Sequence, residues 1–371
     1  MKKMLIRIIK ALIYIISGLL IIVVTFVIIF WFKSPGISDP IKDMSGKVIE
    51  GSISTIEEVM INNQEQYLVI RGVDSSKPVM LFVHGGPGFP ETSSMKKLNK
   101  AIEKDFVMVY WEQRGAGKSY SKDILAESLT IEQLVNDTKM VSEYIIKQFG
   151  REKIFILGHS WGSYLAISAA YKYPDLYHSY FGVSMISDQY KGEQIGFEWV
   201  KEEANKRNDQ AALKMLSETS FPDLMASGQE WWDYLGIQRR FLNKYGAGVA
   251  YEMTSVGPFM KMFLGAKEYT LREKMNSMSG MMLSMENLWP EMIQTNLNYI
   301  DSMQLPVYIF QGVHDRQAPF SVAKDFFDRI KAPEKEFYSF ENSAHSPLVE
   351  EVTKFNSIVR EKAEEYSKEN N

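Results

Sequence analysis

The first hydrophobic pattern along the chain is an apolar run without charges, ALIYIISGLLIIVVTFVIIFWF, from Ala11 to Phe32. About 22 helical residues at 1.5 Å each span a hydrocarbon core of roughly 30 Å. The basic residues Lys2, Lys3, Arg7 and Lys10 precede the run, so the positive-inside rule places the N-terminus in the cytoplasm. The sequence therefore predicts a cytoplasmic stub and transmembrane anchor over residues 1–33, with everything after Lys33 outside the cell.

Two alternatives to the anchor are a cleaved signal peptide and a buried helix. A signal peptide has an apolar region of about 7–15 residues that ends in small residues. This run is longer, and it ends in Trp31-Phe32-Lys33-Ser34-Pro35 instead of small residues. Its length and its end favour the anchor, with Trp31 at the outer interface.

Residues 34–50 mix Pro and Gly with charges, which predicts a linker. Two extended segments follow, SISTIEEVMI and EQYLVIRGV, joined at Asn62-Asn63. Because Asn tolerates the turn conformation, this pattern predicts an antiparallel hairpin at the edge of a sheet.

The pattern then changes to short, almost wholly apolar runs that end in Gly or polar residues: PVMLFVHGG, FVMVYWEQRG, KIFILGHS and LPVYIFQGVHD. Continuous apolarity is typical of central parallel strands, which helices cover on both faces. Helical periodicity between Thr130 and Gly150, with Thr130 as cap and Gly150 as terminator, supplies the alternating element. The sequence thus predicts a doubly wound α/β domain in two parts, 51–187 and 301–371.

Between 188 and 300 the strand pattern disappears and the composition becomes helical and rich in Met and Trp. We expect a helical cap inserted into the sheet domain. Its apolar residues either line a substrate pocket or form the core of the cap itself.

Composition excludes several classes of function. The net charge of −4 gives no basic face for nucleic acid. Absence of cysteine removes disulfides, thiolate metal sites and cysteine nucleophiles. No metal-ligand spacing occurs, and Glu112–Ser119 resembles a phosphate loop but has Glu where the motif needs its first Gly. We expect no cofactor and no metal.

The strongest chemical signal is Gly158-His159-Ser160-Trp161-Gly162, a G-x-S-x-G match between an apolar run and a helix start rich in small residues. In that context the glycines permit a strained turn that lifts the serine hydroxyl above the sheet. Ser160 is therefore the predicted nucleophile.

A serine nucleophile needs a base, and the base needs an orienting acid, in the chain order Ser, Asp or Glu, His. His345 in ENSAHSP lies near the C-terminus, where the base belongs, and Asp315 ends the run VYIFQGVHD. Glu341 is the reserve acid. The oxyanion needs donors, for which we expect the backbone N–H of Trp161 and that of Gly86, rather than Gly85, in His84-Gly85-Gly86-Pro87-Gly88.

The segments HGGPG, WEQRGAGKS, GHSWGS, GVHD and AHSP, in this order, resemble the prolyl aminopeptidase (proline iminopeptidase) branch of the α/β-hydrolases. The resemblance covers about Lys77 to Ser187 and the chain from about Leu305 onward. It implies the same nucleophile, acid, base and oxyanion donors, and a cap whose acidic residues hold the free amino terminus of the substrate. Candidates for those acids are Glu202, Glu203, Glu286 and Glu291. The chain departs from the family pattern in having Glu112 where Asp is usual and in its membrane anchor.

The leading hypothesis is a membrane-bound serine aminopeptidase that releases an N-terminal residue, with proline as the candidate, from short peptides. Two alternatives stay open: a carboxylesterase or lipase-like enzyme for apolar acyl esters, and a non-catalytic receptor on a hydrolase fold. A cap pocket holding two carboxylates would favour the peptidase, whereas a wholly apolar pocket would favour the esterase. The oligomeric state is left open.

Overall fold

A computed structural model describes residues 2–251 and 253–369, in which eight strands form one sheet of order β1-β2-β4-β3-β5-β6-β7-β8. The strands are β1 Ile53–Ile61, β2 Gln64–Gly72, β3 Val79–Val83, β4 Val107–Glu112, β5 Ile154–His159, β6 Tyr177–Val183, β7 Val307–Gly312 and β8 Lys335–Phe340. Strands β3 to β8 pair in parallel, whereas β1 and β2 are antiparallel to each other and β2 is antiparallel to β4. The mostly parallel, doubly wound sheet predicted from the sequence is confirmed.

The edge hairpin turns at Asn62 and Asn63, whose φ angles of 46° and 60° lie in the left-handed region. Two consecutive left-handed residues are the geometry of a type I′ turn, whose twist matches that of the flanking strands. The predicted hairpin therefore forms with the register Ile61 to Gln64.

Helices connect the strands and cover both faces of the sheet. They are α1 Lys2–Lys33, α2 Thr92–Leu98, α3 Ile131–Phe149, α4 Trp161–Lys172, α5 Gln189–Lys206, α6 Gln210–Ser217, α7 Gly228–Lys244, α8 Gly257–Gly265, α9 Leu271–Met292, α10 Phe320–Arg329, α11 Pro347–Glu350 and α12 Val352–Glu369. Alternate residues of one strand enter different cores: Leu81 packs on the side of α3 and α4, and Phe82 packs on the side of α12. This two-sided burial explains the continuous apolar runs of the central strands.

Helices α5 to α9 lie between β6 and β7, in the segment predicted as a cap. Two of them begin with a reciprocal capping box, Ser227 with Glu230 for α7 and Thr270 with Glu273 for α9. The aromatic centre of this segment is Trp231, which is fully buried and has edge-on contacts with Phe221 and Tyr234. Part of the Trp content therefore forms a core within the helical segment itself.

Helix α1 is apolar and long enough to cross a membrane, and its apolar residues pack against nothing else in the described chain. The first part of the following segment, which was predicted as a linker, packs against the folded domain. Ser34 and Ile41 are buried, and the Ile37 N–H donates to the Lys267 carbonyl at 2.9 Å. Residues 34–41 are thus packed on the body of the protein.

Candidate active site

Ser160 occupies the sharp turn between β5 and α4. Its φ of 53° and ψ of −124° are strained for a residue with a side chain. Small neighbours make the turn possible: a methyl group on Gly158 would lie 2.7 Å from Ser163 Cα, and one on Gly162 would lie 2.6 Å from the His84 carbonyl oxygen. The G-x-S-x-G spacing is therefore set by backbone contact, and it leaves the Ser160 side chain facing a cavity.

Three side chains predicted from the sequence meet in one hydrogen-bonded line. His345 Nε2 lies 2.8 Å from Ser160 Oγ, and His345 Nδ1 lies 2.8 Å from Asp315 Oδ2. Asp315 is fully buried and His345 nearly so. They come from the loops after β7 and β8, which end at the same edge of the parallel sheet as β5.

Asp315 is held by donors that the sequence did not single out. Its Oδ1 accepts the backbone N–H groups of Gln317 and Ala318, both at 2.9 Å. Its Oδ2 accepts Gln311 Nε2 at 3.1 Å in addition to its contact with His345. A buried carboxylate with this many donors is held in one orientation.

The two predicted oxyanion donors flank the Ser160 side chain. Trp161 is the first residue of α4, so its N–H is one that the helix leaves unpaired. Gly86 lines the same cavity with a φ of 124°. Neither N–H has a hydrogen-bond partner among residues 2–251 and 253–369. Both are therefore available to an oxygen held beside Ser160.

Next to Ser160, the predicted nucleophile, lies an ion pair that the sequence did not indicate. His159 Nδ1 is 2.8 Å from Glu91 Oε1, and His159 Nε2 is 2.7 Å from the His345 carbonyl oxygen. Since both ring nitrogens face acceptors, the imidazole is positioned to be doubly protonated. Burial, the largest single influence, lowers the pKa of His159, but the charge and hydrogen bond of Glu91, the His345 carbonyl and the charge of Asp315 together raise it above its ordinary value.

Glu91 also contacts the oxyanion loop, because its Oε2 accepts the Gly85 N–H at 2.8 Å. Burial would raise the pKa of Glu91, but the His159 charge and these hydrogen bonds lower it below its usual range. The carboxylate therefore stays ionised at the wall of the cavity. No motif signals it, since Glu91 and His159 are far apart in the chain.

The cavity in front of Ser160 has a volume of about 380 Å³. Its walls are mostly apolar and come from α7, α8 and α9 as well as from the sheet domain. The apolar lining includes Phe89, Ile186, Trp232, Leu235, Phe259, Met260, Met281, Met285, Trp289 and Met292. The Trp and Met residues of the cap are therefore found in both expected places, in the lining of the pocket and in the core of the cap. The described residues hold no group of three or more His, Asp or Glu able to bind a metal.

The structure brings none of the four predicted amino-terminus acids to this cavity. Glu202, Glu286 and Glu291 are exposed, and Glu203 forms an ion pair with Arg207 at 2.7 Å. Glu291 instead accepts the Ile131 N–H at the start of α3, at 2.9 Å. These carboxylates lie on the outward faces of α5 and α9, where charged residues of an amphipathic helix belong.

A different acidic residue of the cap lies on the inward face. Glu193 of α5 is fully buried and forms an ion pair with Arg239 of α7, which lines the cavity. Gln189 Nε2 donates to Glu193 Oε1 at 2.6 Å. Besides His345, the charged or titratable groups that line the pocket are therefore Glu91 and His159 near Ser160 and Arg239 in the cap, and Glu193 lies behind Arg239.

The turn after β4, Glu112–Ser119, supports the site from behind. Gln113 accepts the Trp161 indole N–H at 3.1 Å and donates to the His84 carbonyl at 2.7 Å, which links the nucleophile turn to the oxyanion loop. Glu112 is fully buried and accepts hydroxyl groups of Thr92 and Tyr269, both at 2.6 Å. Burial raises the pKa of Glu112 to about 7.

We expect Glu112 to make stability depend on pH. The unfolded chain ionises this carboxyl near its ordinary pKa of 4.5, whereas the folded protein keeps it protonated up to about 7. The folded state binds more protons in this window, so stability falls as pH rises through it, by on the order of 3 kcal/mol. Urea unfolding of the full chain should show that Glu112→Gln makes this fall smaller by about that amount, whereas Glu341→Gln, at an exposed position, leaves it unchanged; burial also raises the pKa of Glu350 to about 7, so part of the fall persists in Glu112→Gln. A difference between Glu112→Gln and wild type that does not change with pH would contradict this prediction.

Comparisons with known proteins give related hydrolases. A family model described as serine aminopeptidase, S33, matches residues 74–217. The probable aminopeptidase YbaC of Bacillus subtilis is 32% identical over 314 residues, which cover 83% of this chain and 96% of that protein. The proline iminopeptidase of Clostridioides difficile is 26% identical and covers 79% of this chain and 92% of its own.

Among solved structures, the proline iminopeptidase of Mycobacterium smegmatis superposes with a TM-score of 0.62 at 16% identity and covers 85% of this chain and 100% of its own. An esterase from Exiguobacterium antarcticum has the same fold, with a TM-score of 0.54, 14% identity and coverage of 84% and 100%. These two likenesses concern the fold alone.

Proposed function

Because this chain belongs to the serine aminopeptidase family of α/β-hydrolases, we propose that it is a serine hydrolase that releases the N-terminal residue of short peptides. Proline is the first residue to test, since proline iminopeptidases are among its relatives. The observation that carries the proposal is the hydrogen-bonded line from Ser160 through His345 to Asp315.

In the proposed reaction, Ser160 Oγ attacks the carbonyl carbon of the first residue while His345 Nε2 takes the hydroxyl proton. Asp315 holds the other ring nitrogen and stabilises the imidazolium that forms. The tetrahedral oxyanion accepts the N–H groups of Gly86 and Trp161. His345 then gives the proton to the leaving amine. In the second half of the reaction His345 takes a proton from water, the hydroxide attacks the acyl carbon, and His345 returns the proton to Ser160 Oγ as the acid leaves.

Selectivity for a free amino terminus requires an anion close to the scissile carbonyl, because only one carbon separates the α-amine from it. Glu91 meets this requirement better than the acids of the cap. A Cβ built on Gly85 lies 3.2 Å from Ser160 Cβ and 3.5 Å from Glu91 Oε2. In this proposal the α-ammonium group of the substrate donates to Glu91, whose charge the lowered pKa maintains.

We expect Glu91→Gln to raise KM for a proline arylamide by about 10-fold to 100-fold, since a charge-assisted hydrogen bond contributes about 1.5–3 kcal/mol. KM for an aryl ester without an amine should change by less than about twofold. Steady-state kinetics on both substrates measure this, with Glu286→Gln as the matched change on the outside of the cap. An equal loss on both substrates would mean that Glu91 only supports the fold of the loop.

The second candidate function is hydrolysis of an apolar acyl ester, which the wall of Met, Trp and Phe side chains favours. The two functions differ in what they require of the charged pairs at the cavity. A peptidase uses Glu91, whereas an esterase leaves both pairs as structural supports.

The deciding experiment compares a proline arylamide with a short-chain aryl ester, using the full chain in detergent micelles and Ser160→Ala as the blank. Faster amide hydrolysis, lost in the variant, supports the aminopeptidase. Ester hydrolysis alone moves the function to esterase, and no turnover of either substrate refutes both.

We further propose that α1 anchors the protein in the cell membrane, with its N-terminus in the cytoplasm and the catalytic domain outside. Retention of the full chain in membranes after alkaline extraction, together with digestion of the domain by external protease in intact cells, tests this arrangement. Release by alkali, or protection from the protease, would overturn it.

A further inference from the structure

The membrane helix is joined to the cap by a short, fixed connection. Lys274 Nζ donates to Ser34 Oγ at 2.8 Å and to the Leu264 carbonyl at 2.8 Å. Pro35 forms a β-bridge with Thr270, and the Ile37 N–H donates to the Lys267 carbonyl. The first residues after α1 are therefore bonded to the segment that joins α8 to α9.

This connection limits how far that segment stands from the end of α1. Lys33 is the last residue of α1, and Ser34 alone separates it from Pro35, which pairs with Thr270. The Cα atoms of Lys33 and Pro35 are therefore at most about 7 Å apart, and Thr270 lies one strand spacing of about 5 Å beyond. If α1 spans the bilayer as proposed, the start of α9 lies at the membrane surface.

The end of α8 and the start of α9, on either side of this segment, carry apolar side chains that are partly exposed. Leu264 is 43% exposed, Met275 is 71% exposed and Met278 is 47% exposed. Met275 and Met278 are three residues apart on α9 and share one helix face. We call these three residues the cap face. All three lie within ten residues of Lys274, which binds Ser34, and of Thr270, which pairs with Pro35.

The exposed charges around the cap face are mostly basic. Lys261, Lys267 and Arg272 are exposed, and of these three Lys267 pairs with Asp39 at 3.2 Å. The nearby acids are neutralised by bonds of their own: Glu268 is buried and pairs with Lys96, and Glu273 pairs with Lys118 at 2.9 Å. Basic residues around an apolar patch match a bilayer that contains anionic lipid.

We propose that the cap face rests on the membrane leaflet from which the chain emerges, with Leu264, Met275 and Met278 in the interface and Lys261, Lys267 and Arg272 at anionic headgroups. The proposal rests on α1 being a membrane anchor and does not depend on the reaction catalysed. The partner is the lipid surface itself, because the anchor brings it within reach and its charge fits.

One consequence concerns the cavity, since α8 and α9 also supply part of its wall through Phe259, Met260, Met281 and Met285. The same two helices thus contact lipid on one side and substrate on the other. Membrane composition should therefore influence the site through these helices.

The absence of cysteine allows a direct test, because an introduced cysteine is the sole thiol of the full chain. An environment-sensitive fluorophore is attached to Met275→Cys or Met278→Cys, and the protein is reconstituted in vesicles of phosphatidylglycerol and phosphatidylcholine. Lipids with a nitroxide near the top of the acyl chain should quench these labels at least about threefold more than a label in water.

Met225→Cys serves as the water-exposed control, because Met225 is 75% exposed and α7, which follows it, begins against Glu286, far along α9 from Thr270. Thr25→Cys in α1 serves as the membrane control. Charge is tested by Lys261→Glu with Arg272→Glu, which should reduce quenching at position 278 in anionic vesicles but not in purely zwitterionic ones. Lys331→Glu, an exposed change elsewhere, should have no effect.

Strong quenching at positions 275 and 278 and at Thr25, with little at Met225, supports the proposal. Quenching at Thr25 alone overturns it while leaving the anchor intact. No quenching at Thr25 overturns the anchor and the cap face together. None of these readings involves catalysis, so failure here and failure of the proposed aminopeptidase activity are distinguishable.

Discussion

Replacing Ser160 with alanine is expected to lower kcat on every substrate by about 10⁴-fold to 10⁶-fold, to the residual rate that oxyanion donors and binding alone provide. Ser160 is the group whose oxygen would form the bond to the acyl carbon, and its position 2.8 Å from His345 Nε2 gives it a base. Removing the hydroxyl removes the covalent step and leaves the cavity otherwise unchanged.

The measurement is hydrolysis of the better substrate together with labelling by a fluorophosphonate, which reacts with activated serine hydroxyls. Ser168→Ala is the matched control, since Ser168 is on the same helix and its hydroxyl contacts Tyr299 rather than the site. Labelling that survives Ser160→Ala would assign the nucleophile to another residue.

Replacing Asp315 with asparagine is expected to lower kcat by about 10⁴-fold without disturbing the fold. The backbone N–H groups of Gln317 and Ala318 donate to Oδ1, so the amide oxygen of asparagine takes that place. The amide nitrogen then faces His345 Nδ1 and donates to it. The ring proton is forced onto Nε2, which points at Ser160 Oγ and can no longer accept its proton.

Unfolding curves and the pH–rate profile separate this effect from loss of structure. Asp315→Asn should stay folded in the assay and lose only about 1–3 kcal/mol of stability, because the new amide nitrogen cannot accept from Gln311 Nε2. Asp325→Asn, at an exposed position on α10, should keep full activity. A variant that retains more than about a tenth of wild-type kcat would mean that Asp315 does not orient the base.

Those parts of the fold that depend on local pattern were predictable from the sequence. Apolar runs identified β3, β4, β5 and β7 because parallel strands are covered on both faces, and Asn62-Asn63 identified the hairpin turn. Ser160, Asp315 and His345 were singled out for a similar reason: each lies where a strand ends, and the order of such residues along the chain is restricted in this fold.

Contacts made by tertiary packing alone left no such signal. Glu91 immediately precedes α2 and His159 is the last residue of β5, and neither has a neighbour in sequence that indicates a partner. The candidate cap acids followed from the helical composition of the segment alone, which does not say which face of a helix each glutamate occupies. Glu193 lies four and seven residues before Phe197 and Val200, so the helical repeat alone predicts that it shares the apolar face of α5 with them. Glu202 and Glu203 fall outside that stripe.

The fixed connection between α1 and the cap also affects how the protein can be released from the cell. Many anchored ectodomains are shed by cleavage of a flexible stalk, which must enter a protease as an extended strand of several residues. Here Ser34 is buried against Lys274 and the chain stays bonded to the body through Ile37. A protease would first have to pull this segment away from the folded domain. With α1 as the membrane anchor that we propose, the activity would therefore stay with the cell that made it, and lateral diffusion of one helix in the bilayer would set its range.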